Sequence, residues 1–411
     1  MPTELSVPPR HRAARAPHRI RRIGALTMTI TAVSIALVAL AASLLPTQVD
    51  AAVFGMDDRT AIPTRYQKAA ESIGLLFNNQ TRTVCTAFCV APNVIATASH
   101  CLFKAEIDTH SKLSQYWFAR GYDRQRDFSR IAGFSTNSTL QHIMSGATRL
   151  STRPPIDAAS DWALVRLARP ACHGGVLPVR PIASDAIIKA AAGQRIFQIA
   201  YHRDLPQWKP VYSQPCRVDR RFGAIDWTMI ARDFTTPEHL VLHLCDTGGA
   251  SSGSPLLMDT PEGPAVIGIN IGTYEQARVL VQAGQVTHRF KSETVANTGV
   301  NADVFASRVD LMARARVLTT AAAIGDLQTR LQMRGFYAGP IDGSFGQQLR
   351  QAIEQFETFQ RLPRTGLPTT ELAQRLGTEI RPAAEAGTVA ARTVRGRPPA
   401  AGATATRSSD R

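Results

Sequence analysis

The chain has 411 residues, room for two or three domains of about 100–200 residues each. Its 44% hydrophobic and 7% aromatic content exclude a wholly disordered chain. The formal net charge of +15 points first to a polyanionic partner. However, residues 1–51 and 381–411 hold 12 of the 47 Lys and Arg with only 4 of the 32 acids, which leaves 35 basic against 28 acidic residues between them. No stretch there interleaves basic and aromatic residues as a single-strand groove would, so nucleic-acid binding is not expected.

The first element is an address. Six arginines between Arg10 and Arg22 precede an uncharged, apolar run from Ile23 to Val49, and Val49-Asp50-Ala51 has the small-residue pattern of a cleavage site. This predicts a signal peptide removed after Ala51. The same run is long enough to span a bilayer as one helix, so an uncleaved inner-membrane anchor is the alternative. Both place the rest of the chain outside the cytoplasm, secreted or periplasmic. The cysteines agree: Cys85, Cys89, Cys101, Cys172, Cys216 and Cys245 are even in number, and in an exported protein they predict three disulfides with fifteen connectivities open. None has the histidine spacing of a zinc finger, and Cys85-x-x-x-Cys89 is one residue too long for a thioredoxin-like motif. No metal and no cofactor are expected.

From Val84 to Leu280 the pattern is one of short strands separated by turns. Ala87–Ala96 contains a turn at Pro92-Asn93, and Ala163–Leu167, Ile196–Ala200, His239–Leu244 and Val266–Ile271 are further strands. Without alternating long helices, this predicts an antiparallel barrel or sandwich. Ala302–Val317 is expected to be a closing helix packed through Val304, Phe305, Val309, Leu311 and Met312. Beyond it, Leu327 and Leu331 mark a helix ended by Gly335. Leu349, Ala352, Ile353 and Phe356 mark a second helix, and Thr369–Leu376 a third, capped by Thr369 or Thr370. The expected organisation is an address over 1–51, a β domain over 52–318 and a small all-α domain over 319–379. A basic tail without apolar period, 380–411, is expected to be disordered.

Three local patterns carry chemistry. Thr97-Ala98-Ser99-His100-Cys101 follows an apolar strand, Ser160-Asp161-Trp162-Ala163-Leu164 opens another, and Ser251-Ser252-Gly253-Ser254-Pro255 follows Gly248-Gly249-Ala250. A serine hydroxyl needs a base within hydrogen-bond reach. An imidazole base needs a buried carboxylate to fix its tautomer. Asp157 is a rival acid, but it precedes no apolar strand. Gly249-x-Ser251-x-Gly253 also satisfies a nucleophile elbow, with His288 downstream, yet no strand–turn–helix context surrounds it.

The order His100, Asp161, Ser252, with these motifs, resembles the chymotrypsin-fold serine peptidases, within them the bacterial glutamyl-endopeptidase-like (V8-like) branch. Val53-Phe54-Gly55 and Asp57-Asp58-Arg59 resemble the opening of that mature domain, and the likeness covers roughly 52–317. It implies two six-stranded antiparallel barrels with the triad between them, and an oxyanion hole from the N–H groups of Ala250 and Ser252. It also implies a Cys85–Cys101 bridge bracing the histidine loop. Cys216 and Cys245 each adjoin a strand before the nucleophile loop and are expected to pair, leaving Cys89 with Cys172. Two departures stand out. Ala250 replaces the family glycine, and Ser251 replaces the aspartate that receives a new N-terminal amine in chymotrypsin-like zymogens. The resemblance places the specificity pocket at Asp246, Thr247, Asn270, Ile271 and Gly272. Asn270 stands where glutamyl endopeptidases carry histidine, so preference for Glu before the cut is not expected. Asp246 stands at the trypsin position without establishing trypsin-like cleavage.

The helical segment resembles the small peptidoglycan-binding module of bacterial wall hydrolases. The stretch Arg334-Gly335-Phe336-Tyr337-x-Gly339-x-Ile341-Asp342-Gly343-x-Phe345-Gly346 carries it, with Ala352-Ile353-x-x-Phe356 and Thr365-Gly366; Glu357 replaces the usual glutamine. The implied partners are a polypeptide substrate and peptidoglycan, the latter through residues 319–379 and the edges around Phe336–Phe345. The expectation is a wall-associated serine endopeptidase whose module is dispensable for cleaving a soluble substrate. Alternatives are an inactive wall-binding relative and a hydrolase of peptidoglycan cross-bridges.

Overall fold

The computed structural model describes residues 52–378 except 104–109, 123–126, 152, 206, 224, 276–277, 283–284 and 291–293. The expected N-terminal address and the expected disordered tail lie outside the described residues. Among those described, no helix is long and apolar enough to cross a membrane.

Two antiparallel sheets form a trypsin-like double barrel. The first strand, β1 (Arg59–Thr60), belongs to the second sheet. After the helical turn α1 (Gln67–Ala70), the first sheet is built from β2 (Ile73–Asn78), β3 (Thr83–Ala91), β4 (Val94–Thr97), β5 (Trp117–Arg120), β6 (Phe128–Arg130), β7 (Ile143–Ser145) and β8 (Ala163–Arg166). Their order is β6-β5-β2-β3-β4-β8-β7. Just past β6 and β8, Ala132 donates to the carbonyl of Arg166 and Ala168 to that of Arg130, which closes the ring. Pro92-Asn93 turns β3 into β4 as expected, since proline cannot donate to a ladder. Six strands make this ring and β7 is an appended flap, a seventh strand the sequence did not announce.

The second sheet uses β9 (Ile196–Ala200), β10 (Val211–Ser213), β11 (Leu240–His243), β12 (Pro255–Met258), β13 (Ala265–Glu275) and β16 (Thr294–Asn301), in the order β1-β10-β9-β12-β13-β16-β11. A bridge between Val218 and His243 closes it. Again six strands make the ring, and β1 is the addition. A separate hairpin pairs β14 (Arg278–Gln282) with β15 (Gln285–Phe290). The helices α2 (Ser184–Ala192) and α3 (Trp227–Ala231) lie between strands of this half.

The predicted helix 302–317 is shorter than expected. A 3-10 turn over Ala302–Val304 leads into α4 (Ala306–Arg314), and Ala315 is extended (φ −56°, ψ 128°). Phe305, Val309 and Met312 are buried, but Leu311 is 37% exposed and does not pack into the barrel. The helix stops because the next residues pair with the C-terminal domain. Val317 bridges Thr369, Leu318 donates to the carbonyl of Pro368, and Thr370 to that of Arg316.

That domain holds α5 (Ala321–Met333), α6 (Gln347–Phe359) and α7 (Thr370–Thr378). Its core contains Leu327, Leu331, Ile353, Phe356, Leu372 and Leu376, the predicted apolar positions. Gly335, at φ +76°, ends α5 and lets Phe336 donate back to the carbonyl of Leu331. Buried Gln328 ties the Asp342-Gly343 turn: its amide donates to Asp342 Oδ1 (2.9 Å) and accepts from the Gly343 N–H (2.9 Å). Glu357 accepts from the N–H groups of Thr365 (2.7 Å) and Gly366 (3.0 Å), and burial raises its pKa. The aromatic edge expected to bind ligand is largely used internally. Tyr337 is buried and donates to the carbonyl of Pro340, and Phe336 packs edge-on against Phe356.

The domain does not hang from a loose joint. Arg350 on α6, 2% exposed, reaches into the first barrel and donates to the carbonyls of Leu140 (3.0 Å) and Ile143 (2.9 Å). Nearby, the Thr148 hydroxyl donates to Gln347 (3.0 Å). One nitrogen of this buried guanidinium, Nη2, serves both carbonyls of the other domain, and separation would cost each of them a charge-assisted partner.

Candidate active site

The first barrel delivers His100 and Asp161. Strand β4 ends at Thr97 and turns through a 3-10 element, Ser99–Cys101. That turn is held from three sides. Cys101 is bridged to Cys85 on β3, Tyr116 donates to the Cys101 carbonyl (2.6 Å), and the Ser99 hydroxyl donates to the Ala147 carbonyl. Asp161 leaves the Ala158–Ser160 turn just before β8. One carboxylate oxygen accepts the His100 backbone N–H at 2.9 Å, and the other lies 2.6 Å from His100 Nδ1. The Asp161 side chain is 8% exposed and that of His100 34%, so the acid is enclosed while the ring faces the cleft. Asp157, the rival, stands at the N-cap position of the Ala158–Ser160 turn and makes no side-chain cap bond there.

The second barrel delivers the serine turn. Ser251 donates to the carbonyl of Gly248, Ser254 to that of Ser251, and Gly253 to that of Asn270. Gly253, at φ +83°, is irreplaceable sterically: a Cβ there would lie 2.3 Å from the Thr86 carbonyl oxygen. Thr86 joins the two barrels, its N–H donating to the Ser252 carbonyl (2.9 Å) and its hydroxyl to the Ala250 carbonyl (2.8 Å). Half-buried Ser252 meets the histidine turn through the bridged Cys101 sulfur, which is 3.8 Å from the Ser252 carbonyl and 3.9 Å from His100 Nε2. Among the described residues, the N–H groups of Ala250 and Ser252 have no acceptor within the chain.

Ala250 adopts φ +81°, a region that costs a residue with a Cβ about 1–2 kcal/mol. Ala250→Gly should relieve this strain, partly offset by about 0.4–1 kcal/mol of added unfolded-chain entropy. The expected net is a gain of up to about 1.6 kcal/mol, read as a rise in the urea midpoint; a fall would show that the methyl group's packing outweighs the strain.

The residues expected to form the specificity pocket are engaged within the chain. Asp246 is 2% exposed, and its two oxygens accept the backbone N–H groups of Phe54 (2.8 Å) and Asp58 (2.9 Å). Thr247 donates to the carbonyl of Ala52. The carboxylate therefore clamps the N-terminal segment. Asn270 is 2% exposed, and its amide donates to the Ser251 carbonyl (3.2 Å) while its Oδ1 lies 3.1 Å from His243 Nε2. Burial lowers the pKa of His243 to about 4, so the ring is neutral and can donate to Asn270. Ile271 is buried, and half-buried Gly272 lies beside a bulge of β13 opposite Thr298.

The other bridges are Cys89–Cys172 and Cys216–Cys245, leaving no free cysteine. Two Cys/His groups, at His100 and at His243, fall within metal-ligand distances. Their sulfurs are tied in disulfides, and a metal needs thiolate. Thr86 and His243 support the site without any motif of their own, and Ser99 does so from inside the histidine pattern, where no role had been assigned to it. Only the hydroxyls' positions, within β3 and directly before His100, could have hinted at them.

A double β-barrel with a carboxylate–imidazole pair on one half and a tight serine turn on the other defines a trypsin-like fold. A family model described as "Trypsin" matches residues 64–283, more than half of the chain. The chain belongs to the trypsin family. A second model, "Putative peptidoglycan binding domain", matches residues 320–376. No curated protein matches the chain. A solved structure described as "Structure of Glu endopeptidase in complex with MPD" is similar at 16% identity and a TM-score of 0.42, covering 64% of this chain and 99% of that one.

Proposed function

We propose that the protein is an exported serine endopeptidase directed to the bacterial cell wall, with His100, Asp161 and Ser252 as its triad. The observation that carries this reading is the enclosed Asp161 carboxylate against His100 Nδ1, beside a serine turn with two open N–H groups. The Ser252 hydroxyl attacks the peptide carbonyl while His100 Nε2 takes its proton and then passes it to the leaving amine. The N–H groups of Ala250 and Ser252 receive the developing oxyanion, and water completes the cycle on the acyl-enzyme. Asp161 holds the ring through its contact with Nδ1. With Asp246 clamping the N-terminal segment and Asn270 engaged beneath the turn, neither supplies a charged specificity determinant. Export is supported by the three bridges, which persist in oxidising compartments, and the wall by the module match.

The test is labelling of the chain from residue 52 with a fluorophosphonate probe. Ser252→Ala should abolish labelling and peptidase activity, whereas Ser251→Ala should keep labelling measurable. The reverse pattern would sink the assignment.

A further inference from the structure

A cavity of about 290 Å³ opens at the seam between the two domains, walled from both sides. Met144 and Leu311 line it from the barrel, Leu367 and Leu372 from the helical domain. Charged groups of both signs ring it: Asp310 and Arg314 on α4, Glu371 and Arg375 on α7. Resting on the wall-directed reading above, we propose that this seam is a composite ligand site. Its ligand is the stem peptide of peptidoglycan, a short chain in which alanines flank acidic residues, with an ammonium group on one side chain and a terminal carboxylate.

Three observations select this occupant. The lining contains no aromatic residue, so the stacking platform that sugars favour is missing, whereas aliphatic side chains match the floor. The volume lies at the low end for ligand pockets, about 300–1,000 Å³, and suits a few small residues rather than a glycan strand. The rim is complementary to a zwitterion. Asp310 pairs with Arg314 at 3.5 Å and Glu371 with Arg316 at 2.7 Å, and all four side chains are at least 48% exposed. Such exposed pairs hold each other weakly and can exchange for the ligand's ammonium and carboxylate. The buried Arg350 contacts fix the two walls in register, so the site is preformed. Neither domain alone contains it.

The experiment is calorimetric titration of the chain from residue 52 with the synthetic tetrapeptide L-Ala-D-Glu-diaminopimelate-D-Ala, beside sedimentation with isolated peptidoglycan. Leu311→Glu places a charge in the cavity floor from an exposed position on α4, and should weaken tetrapeptide binding at least tenfold with fluorophosphonate labelling retained. Arg314→Glu, at an 82% exposed side chain, should weaken it severalfold and serves as the second variant if Leu311→Glu fails to fold. Amidating the peptide's C-terminus should have a similar effect. If the chain sediments with peptidoglycan but does not bind the tetrapeptide, or binds it equally in both variants, the seam site is overturned and the wall-directed reading survives. If the unsubstituted chain stays in the supernatant, that reading falls, whatever the seam binds.

Discussion

Asp161→Asn is expected to leave the fold intact and to slow acylation about 10⁴-fold, the size of the loss in chymotrypsin-type enzymes. Both oxygens of this carboxylate accept, one from the His100 backbone N–H and one from the ring. An asparagine amide offers one acceptor and one donor. If its NH₂ faces Nδ1, the ring must accept there and carry its proton on Nε2, where it can no longer take the proton of Ser252. If its NH₂ faces the backbone, two donors meet and the histidine turn loses its tether. The first arrangement stops general-base catalysis and the second loosens the base from its tether, while the disulfide and the Tyr116 bond hold the turn. The check is the fluorophosphonate labelling rate, with thermal unfolding run beside it. A loss below tenfold at unchanged stability would remove Asp161 from the triad.

Acidification from pH 6.5 toward 4 should destabilise the fold steeply. His202 and His243 are 1% and 0% exposed, and burial lowers their pKa values to about 3 and about 4 from an ordinary 6.5. Arg59 adds to the effect at His202, while the Asn270 bond opposes it at His243. Partly buried His142 shifts the same way, to about 4, through burial and Arg166. Since the folded pKa values are depressed, these rings stay neutral in the folded state while the unfolded chain protonates them below pH 6.5. Their contribution is complete above pH 6.5 and is lost as pH falls toward the folded values. Each proton difference is worth about 1.4 kcal/mol per pH unit, so the two most buried rings together give a slope of at most about 3. Urea midpoints between pH 7 and 4.5 should fall accordingly, and His202→Gln and His243→Gln should each flatten the fall. A profile that is flat in the wild type would overturn the assignment of neutral buried rings. Because His243 supports Asn270 beneath Ser251, protonation of the folded ring should lower activity only near its own value of about 4.

Much of the architecture was legible from the chain. Short strands with β-branched residues and unequal turns announced an antiparallel β domain, and spacings of three and four announced the three C-terminal helices. These are signals of a residue's own neighbourhood. The strands β1 and β7, of two and three residues, exist because a neighbouring edge offers backbone groups to pair with, and no local pattern marks them. Leu311 was expected in the core because periodicity reports a helix face and not what that face meets. The structure turns it to the seam.

The candidate site divides along the same line. His100, Asp161 and Ser252 could be singled out because each sits in a distinctive run at a strand boundary, where a side chain enters a cleft. Specificity was beyond this reasoning, since it depends on which group reaches a carboxylate first. Asp246 stands at a trypsin-like sequence position, yet the N–H groups of Phe54 and Asp58, 192 and 188 residues away, take both its oxygens. Likewise, Arg350 looks like an ordinary charged position on an amphipathic helix until the barrel's carbonyls are brought beside it. The sequence by itself determined the kinds of element and the chemical groups at their ends, because both follow from neighbours along the chain. Only the tertiary structure decided which buried charge meets which backbone. A polar group withdrawn from water must find a partner wherever the fold supplies one, and the partner's distance along the chain places no limit on that choice.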